Sequence, residues 1–238
     1  MKFCAVDACH SRHHIYHSGR LHLLTTRDGN NKVVVLAWCY AEIESADTYQ
    51  YFADQCHAAG LSPYLGAATV IFSDRMKGIE MFHNRFRAMR GRCFVHIIKN
   101  AKTHIRGSGT TFQDELAWAI QKAVTRAEYD RALERMRLAC PMAAAYFGTL
   151  ECPDEIFQYA LNEKKVPCHG HKSSNIVEGP NGVFKYVRDQ CPYRANNLLL
   201  KWCGERFAER VELITKWITE EKHHLTPYAH HLWQIQVS

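Results

Sequence analysis

Two short apolar runs in this chain end in an aspartate, and that pairing restricts the fold more than any other feature. Phe3 to Val6 leads straight into Asp7, and Ala68 to Phe72 is followed, after Ser73, by Asp74. Brief apolar runs with β-branched and aromatic members read as buried strands, so each carboxylate is expected at a strand's end. In α/β sheets that edge carries the chemistry, because the sheet holds its loops rigidly while leaving them free to vary. A third acid, Glu178, stands in the string SSNIVEGPN. Converging carboxylates repel one another and lose hydration unless hard cations lie between them. A site made of Asp7, Asp74 and Glu178 therefore implies two Mg²⁺ or Mn²⁺ ions as cofactors. Such ions, roughly 3.5–4 Å apart, activate an attacking oxygen and stabilise a leaving oxygen in a displacement at phosphorus. Taken singly, an Asp at a strand end is more often a helix N-cap or a loop residue.

The periodicity places these acids in an order of elements. TTRDGNNK puts turn chemistry between two apolar runs and predicts a hairpin whose second strand is VVVLAWCY. From Ala46 to Ala59, Tyr49, Phe52, Ala53 and Cys56 recur at helical spacing, and Gly60 follows as a C-cap. A strand over Thr69 to Phe72 comes next. Further on, Leu116, Ile120, Ala123 and Val124 predict a helix, and Thr125 with Glu128 forms a capping-box pattern that opens another through Leu133 and Met136. The predicted order is β-β-β-α-β-α-β, then a helical block, then further helices. Asp74 follows Asp7 by 74 − 7 = 67 residues and Glu178 follows Asp74 by 178 − 74 = 104. The longer gap reads as an all-helical insertion over about 111–165 within one interrupted α/β domain spanning 1–238.

All three acids sit in strings that resemble the catalytic segments of Mutator-like (MULE) transposases, an RNase H-like family. VDACHSRHHIYHSGRLHLLTTRDGNNKVVVLAWCYAE is similar to the family's opening, with Asp7 and His10 in its Asp-x-x-His segment. FSDRMKG resembles its Ser-Asp-Arg-x-x-Gly string, carrying Asp74, Arg75 and Lys77, and RCFVHIIKN carries the Cys-x-x-His as Cys93 and His96. SSNIVEGPN, with Asn175 and Glu178, looks like its Thr-Ser-Asn-x-x-Glu string, and FKYVRDQCPYRANNLLLKW, with Arg188, is similar to the helical continuation. The resemblance implies an RNase H-like mixed sheet flanked by helices. It implies an Asp7, Asp74, Glu178 triad holding two Mg²⁺ ions for phosphodiester hydrolysis and strand transfer. His10, Arg75, Lys77, Cys93, His96, Asn175 and Arg188 are then supporting or DNA-contacting residues. The implied partners are DNA, as transposon ends and target, and a second copy, since paired ends call for a homodimer; the implied location is the nucleus.

The chain departs from the family pattern in identifiable places. Gly179-Pro180 follows Glu178, and a proline there lacks the N–H that would bond back to Ile176. Phe157 stands where the family has tryptophan. The family's N-terminal DNA-binding module and C-terminal zinc segment are expected to be absent. These departures leave a second reading beside the enzyme: a truncated or domesticated remnant that binds DNA or protein without cutting. A general RNase H-like nuclease is a third, and it leaves the Cys-x-x-His and the long insertion unexplained.

Composition adds boundaries. No apolar stretch approaches the ~20 residues that a membrane span requires, and four apolar residues after one Lys do not make a signal peptide. The formal net charge of +6 is compatible with a polyanion, and the cations gather near Asp74: Arg75, Lys77, Arg85, Arg87, Arg90, Arg92, Lys99 and Lys102. Ten cysteines without Cys-x-x-Cys spacing read as reduced and structural. Among fifteen histidines, the CHGH segment at Cys168 to His171 is the best zinc candidate, with surface loop residues the plainer reading.

Overall fold

The computed structural model describes residues 3–74, 78–166, 184–221 and 225–237. The chain is mixed α/β, with a five-stranded sheet in the order β3-β2-β1-β4-β5. Its strands are β1 (Phe3–His10), β2 (Arg20–Arg27), β3 (Val33–Ala41), β4 (Val70–Ser73) and β5 (Met89–Arg92). β4 lies parallel to both β1 and β5, and β2 is antiparallel to β3. Two compact units share the chain: Met1–Asp7 with Ser45–Asn175, and Ala8–Glu44 with Ile176–Ser238.

In the first unit, β1 and β4 are buried along their paired length, as their unbroken apolar runs require. α1 (Ala46–Ala58) starts at Ser45, whose hydroxyl accepts the Thr48 N–H, and ends as Ala59 N–H returns to Gln55 O. Gly60 then takes φ +80°, the left-handed residue that lets the chain leave the helix. A short α2 (Ser62–Leu65) leads into β4, and α3 (Ile79–Phe86) packs on α1 through Phe82 against Phe52, ring centroids 5.5 Å apart.

α4 (Phe94–His104) turns its apolar face to a helical block of α5 (Asp114–Lys122), α6 (Arg126–Ala139), α7 (Pro141–Gly148) and α8 (Gln158–Glu163). Phe94 sits at the hub, its ring against Trp118, Phe147 and Phe157. Phe157 is buried and also meets Tyr129, so this position keeps a packed aromatic role. The Thr125–Glu128 capping box forms in full. It also corrects the helix expected through Val124: Glu128 Oε2 accepts the Val124 N–H at 2.8 Å, so α5 stops at Lys122 and Val124 is exposed.

In the second unit, the hairpin between β2 and β3 is tied by Asp28, whose Oδ1 accepts the N–H of Asn30 and of Lys32, both at 2.9 Å. Asn31 takes the left-handed conformation that such a turn needs. α9 (Lys185–Arg188), α10 (Pro192–Lys216), a π-helical turn (Trp217–Glu221) and α11 (Pro227–Val237) follow. Trp38 of β3 donates its indole N–H to Asn196 Oδ1 of α10 at 2.9 Å. Arg210 of α10 donates to Asp28 Oδ2 at 2.7 Å.

Gly91 on β5 pairs with Phe72 on β4, and a Cβ at Gly91 would lie 2.7 Å from Phe72 Cδ1. The glycine is what lets the buried ring lie over the neighbouring strand. Gly91→Val is expected to lose about 1–3 kcal/mol of stability through overpacking, read by urea denaturation. An unchanged midpoint would mean that the ring swings aside at no cost.

Candidate active site on the parallel strand ends

The register of the parallel strands aligns the first two acids. Phe3 faces Val70, Cys4 faces Ile71 and Ala5 faces Phe72, a constant offset of 70 − 3 = 67 residues. Asp7 and Asp74 differ by the same 67, so the offset, continued two residues past the last pair, Ala5 with Phe72, would set them level, with Asp74 one residue past the end of β4. Neighbouring strands are ~4.8 Å apart, and level residues of a parallel pair project to the same face. Asp7 is buried and Asp74 partly so. The β4–β5 register extends the row: Ser73 faces Arg92, so Asp74 stands level with Cys93. The Cys93 N–H donates to Ser73 O at 2.7 Å and continues the ladder into that position.

Cys93 is also the residue from which α4 departs, and His96 lies in that helix's first turn. This brings the Cys-x-x-His pair beside the two aspartates. The His96 imidazole is raised to about 9, first by a hydrogen bond with the Cys93 side chain and then by the charges of Cys93, Asp7 and Asp74, against a burial that lowers it. The ring is thus protonated at neutral pH, and the charges of Asp7 and Asp74 favour that cation. A raised pKa stabilises the fold fully below the ordinary 6.5, and that contribution fades as pH climbs toward about 9.

Behind Asp74 lies a pair that the sequence did not reveal. Ser73 Oγ donates to Asp74 O at 3.1 Å and is 3.2 Å from Nε2 of His83 on α3. His83 is buried, and burial, with Arg90 and Arg92 nearby, lowers it to about 3, so it stays neutral. With the Ser73 proton directed to Asp74 O, Nε2 of His83 carries the proton that it donates to Ser73 Oγ. A buried histidine on a helix has no signature that separates it in sequence from a surface one. Arg92 adds a second support: Nε pairs with Glu155 Oε2 at 2.6 Å while Nη1 reaches Asp74 O at 3.4 Å.

The remaining expected site residues divide. His10 and Arg188 belong to the second unit, where Arg188 Nε donates to His10 O at 2.7 Å. The His10 ring is lowered by burial and by Arg20 and Arg188. Arg75, Lys77, Asn175, Glu178 and the CHGH segment lie outside the described residues. Of the cations expected around the site, Arg85 is bound to Asp54, Arg92 to Glu155 and Lys102 to Asp114, and Arg90 donates to Asn84 Oδ1. Half of that cluster therefore serves local structure.

The two level aspartates supply hard oxygen donors on adjacent rigid strands, a donor chemistry that fits Mg²⁺ or Mn²⁺. Among the described residues no group of three or more His, Cys, Asp or Glu side chains is arranged to hold a metal ion. No helix of the described residues is long and apolar enough to cross a membrane. No protein-family model matches the chain, and no curated protein matches it.

The His96 ring, followed by NMR in metal-free protein, is expected to titrate near pH 9. Its pKa should fall toward 6.5 in Asp7→Asn and in Cys93→Ala, each of which removes a group that favours the imidazolium. An ordinary value in the unmodified protein, or one indifferent to both substitutions, would mean that these four side chains do not meet.

Proposed function

We propose that the chain is an RNase H-like catalytic domain of the Mutator-like transposase kind, cutting and joining DNA through Asp7, Asp74 and Glu178. The observation that carries this reading is the β1–β4 register, whose offset equals the separation of Asp7 and Asp74, with the charges of both acids felt at His96. A mixed sheet with its first two acids on neighbouring strands, and helices filling the stretch from Asp114 to Glu163, supports the same reading.

Asp7, Asp74 and Glu178 would hold two Mg²⁺ ions. When bound, those ions supply charge neutralisation at phosphate and an acidified water. The chain's own residues do the rest by position. β1 carries Asp7 and the end of β4 leads into Asp74, and Ser73, His83 and Arg92 hold the backbone at Asp74. His96, protonated near the acids in the metal-free protein, would lose its proton as cations bind there, so metal affinity should rise with pH. DNA, as transposon ends and target, is the partner that this chemistry requires, and the nucleus is the compartment that the family resemblance suggests.

The competing reading is a remnant that binds DNA or protein without cutting. It draws on Gly179-Pro180 directly after Glu178, where proline withholds a backbone donor.

Purified protein incubated with supercoiled plasmid and Mn²⁺ is expected to nick it. Asp74→Ala should reduce nicking by at least ~10²-fold, since a lost metal ligand removes several kcal/mol of transition-state stabilisation. Equal nicking by that variant would remove Asp74 from the site, and no nicking by the unmodified protein would favour the remnant.

A further inference from the structure

The second unit holds a cavity of about 850 Å³ that the proposed reaction does not use. Three elements wall it: the β2–β3 hairpin, α10 and the start of α11. Each wall is tied to the hairpin by its own bonds. Arg210 of α10 donates to Asp28 Oδ2 at 2.7 Å and to Val33 O at 2.6 Å. Thr226 accepts the Ala229 N–H at 3.1 Å, which caps α11, and donates its hydroxyl to Gly29 O at 2.5 Å. A Cβ at Gly29 would lie 2.7 Å from Thr226 Cγ2, so the glycine is what lets the turn and α11 approach this closely. A cavity whose walls are bonded to one another is preformed, and its volume lies in the range of small-molecule sites.

Two properties of the lining define the ligand. The first is an apolar, aromatic surface: Val33, Leu213 and Pro227 with the rings of Trp202 and Tyr228. Trp202 is half-buried, edge-on to Phe184 with centroids 5.0 Å apart, and Tyr228 is 39% exposed. Two partly open rings on different walls offer stacking area to a flat apolar body. The second property is charge. Five charged side chains line the cavity, and four of them cancel in pairs: Arg210 with Asp28 and Arg206 with Glu209, each at 2.7 Å. Lys32 is left over, exposed and, among the described residues, without an acidic partner. The lining therefore presents one unbalanced positive charge.

We propose that this cavity binds a small aromatic acid, a flat ring system seated between Trp202 and Tyr228 with one anionic group paired to Lys32. A polyphosphate would find a single unpaired cation where it needs several, and a cationic ligand would be repelled by it. The cavity and its ligand are independent of the reaction proposed above.

Fluorescence titration of the full chain with 8-anilinonaphthalene-1-sulfonate, and with the neutral N-phenyl-1-naphthylamine, tests this assignment. Both probes are expected to saturate. Lys32→Gln should weaken the sulfonate about 3–5-fold, the range of an exposed ion pair, and leave the neutral probe unchanged. Unchanged binding of the neutral probe also reports that this variant is folded. Leu213→Trp, which fills the cavity from a 46% exposed position, should abolish binding of both with an unchanged circular dichroism spectrum. Phe207→Ser, at a 59% exposed residue of α10 outside the cavity, should alter neither. Any of four results would overturn the proposal: no saturable binding of the sulfonate, a Lys32→Gln variant that binds it undiminished or weakens both probes alike, undiminished binding in Leu213→Trp, or loss of binding in Phe207→Ser.

Discussion

The parallel pairing of β1 with β4 is the constraint from which the site follows. A parallel ladder without a bulge repeats at a fixed offset, and Phe3 against Val70 through Ala5 against Phe72 keeps the offset that separates the two aspartates. Asp7 and Asp74 inherit their level placement from the apolar residues before them. Burial therefore controls the chemistry: Cys4, Ala5, Val6, Ile71 and Phe72 hold the register by being excluded from water. Gly91 performs the same service on the other side of β4, where its missing side chain lets β5 approach the Phe72 ring.

Two level carboxylates at strand spacing create an electrostatic debt that the fold meets locally. His96 is delivered by the first turn of α4, and α4 begins where β5 ends, so one strand–helix junction supplies both the thiol of Cys93 and the imidazole. The same helix carries Phe94, the hub of the aromatic contacts in the helical block. Packing in that block and charge balance at the aspartates thus share one element. Arg92 repeats the pattern, joining the turn at Glu155 to the backbone at Asp74.

Much of this was legible in the sequence because it is written in local rules. The hairpin at Asp28, the start of α1 near Ala46, the capping box at Thr125 and the strand before Asp74 all depend on neighbours within a few residues. The separation of 67 residues between the aspartates was also visible, yet it carries no meaning until the offset of the β1–β4 ladder is known. Ser73 with His83 was not legible, since a hydroxyl and an imidazole ten residues apart are joined only when α3 folds back on β4. The helix expected through Val124 failed for a local reason, as the Glu128 carboxylate captures the Val124 N–H. The cations near Asp74 were read as compatible with a polyanion, with a solvated helix face as the alternative. Arg85 and Lys102 pair with Asp54 and Asp114, contacts that sequence proximity did not reveal.

Whether Asp7 and Asp74 share one metal ion is decided by calorimetric titration of Mn²⁺ into the purified chain. Binding is expected to be lost in Asp7→Asn and to be stronger at pH 8 than at pH 6.5, because a proton must leave the imidazole raised to about 9. Equal binding in the unmodified protein and in Asp7→Asn would contradict it, placing the ion on other side chains and leaving the two aspartates as neighbours without a shared task.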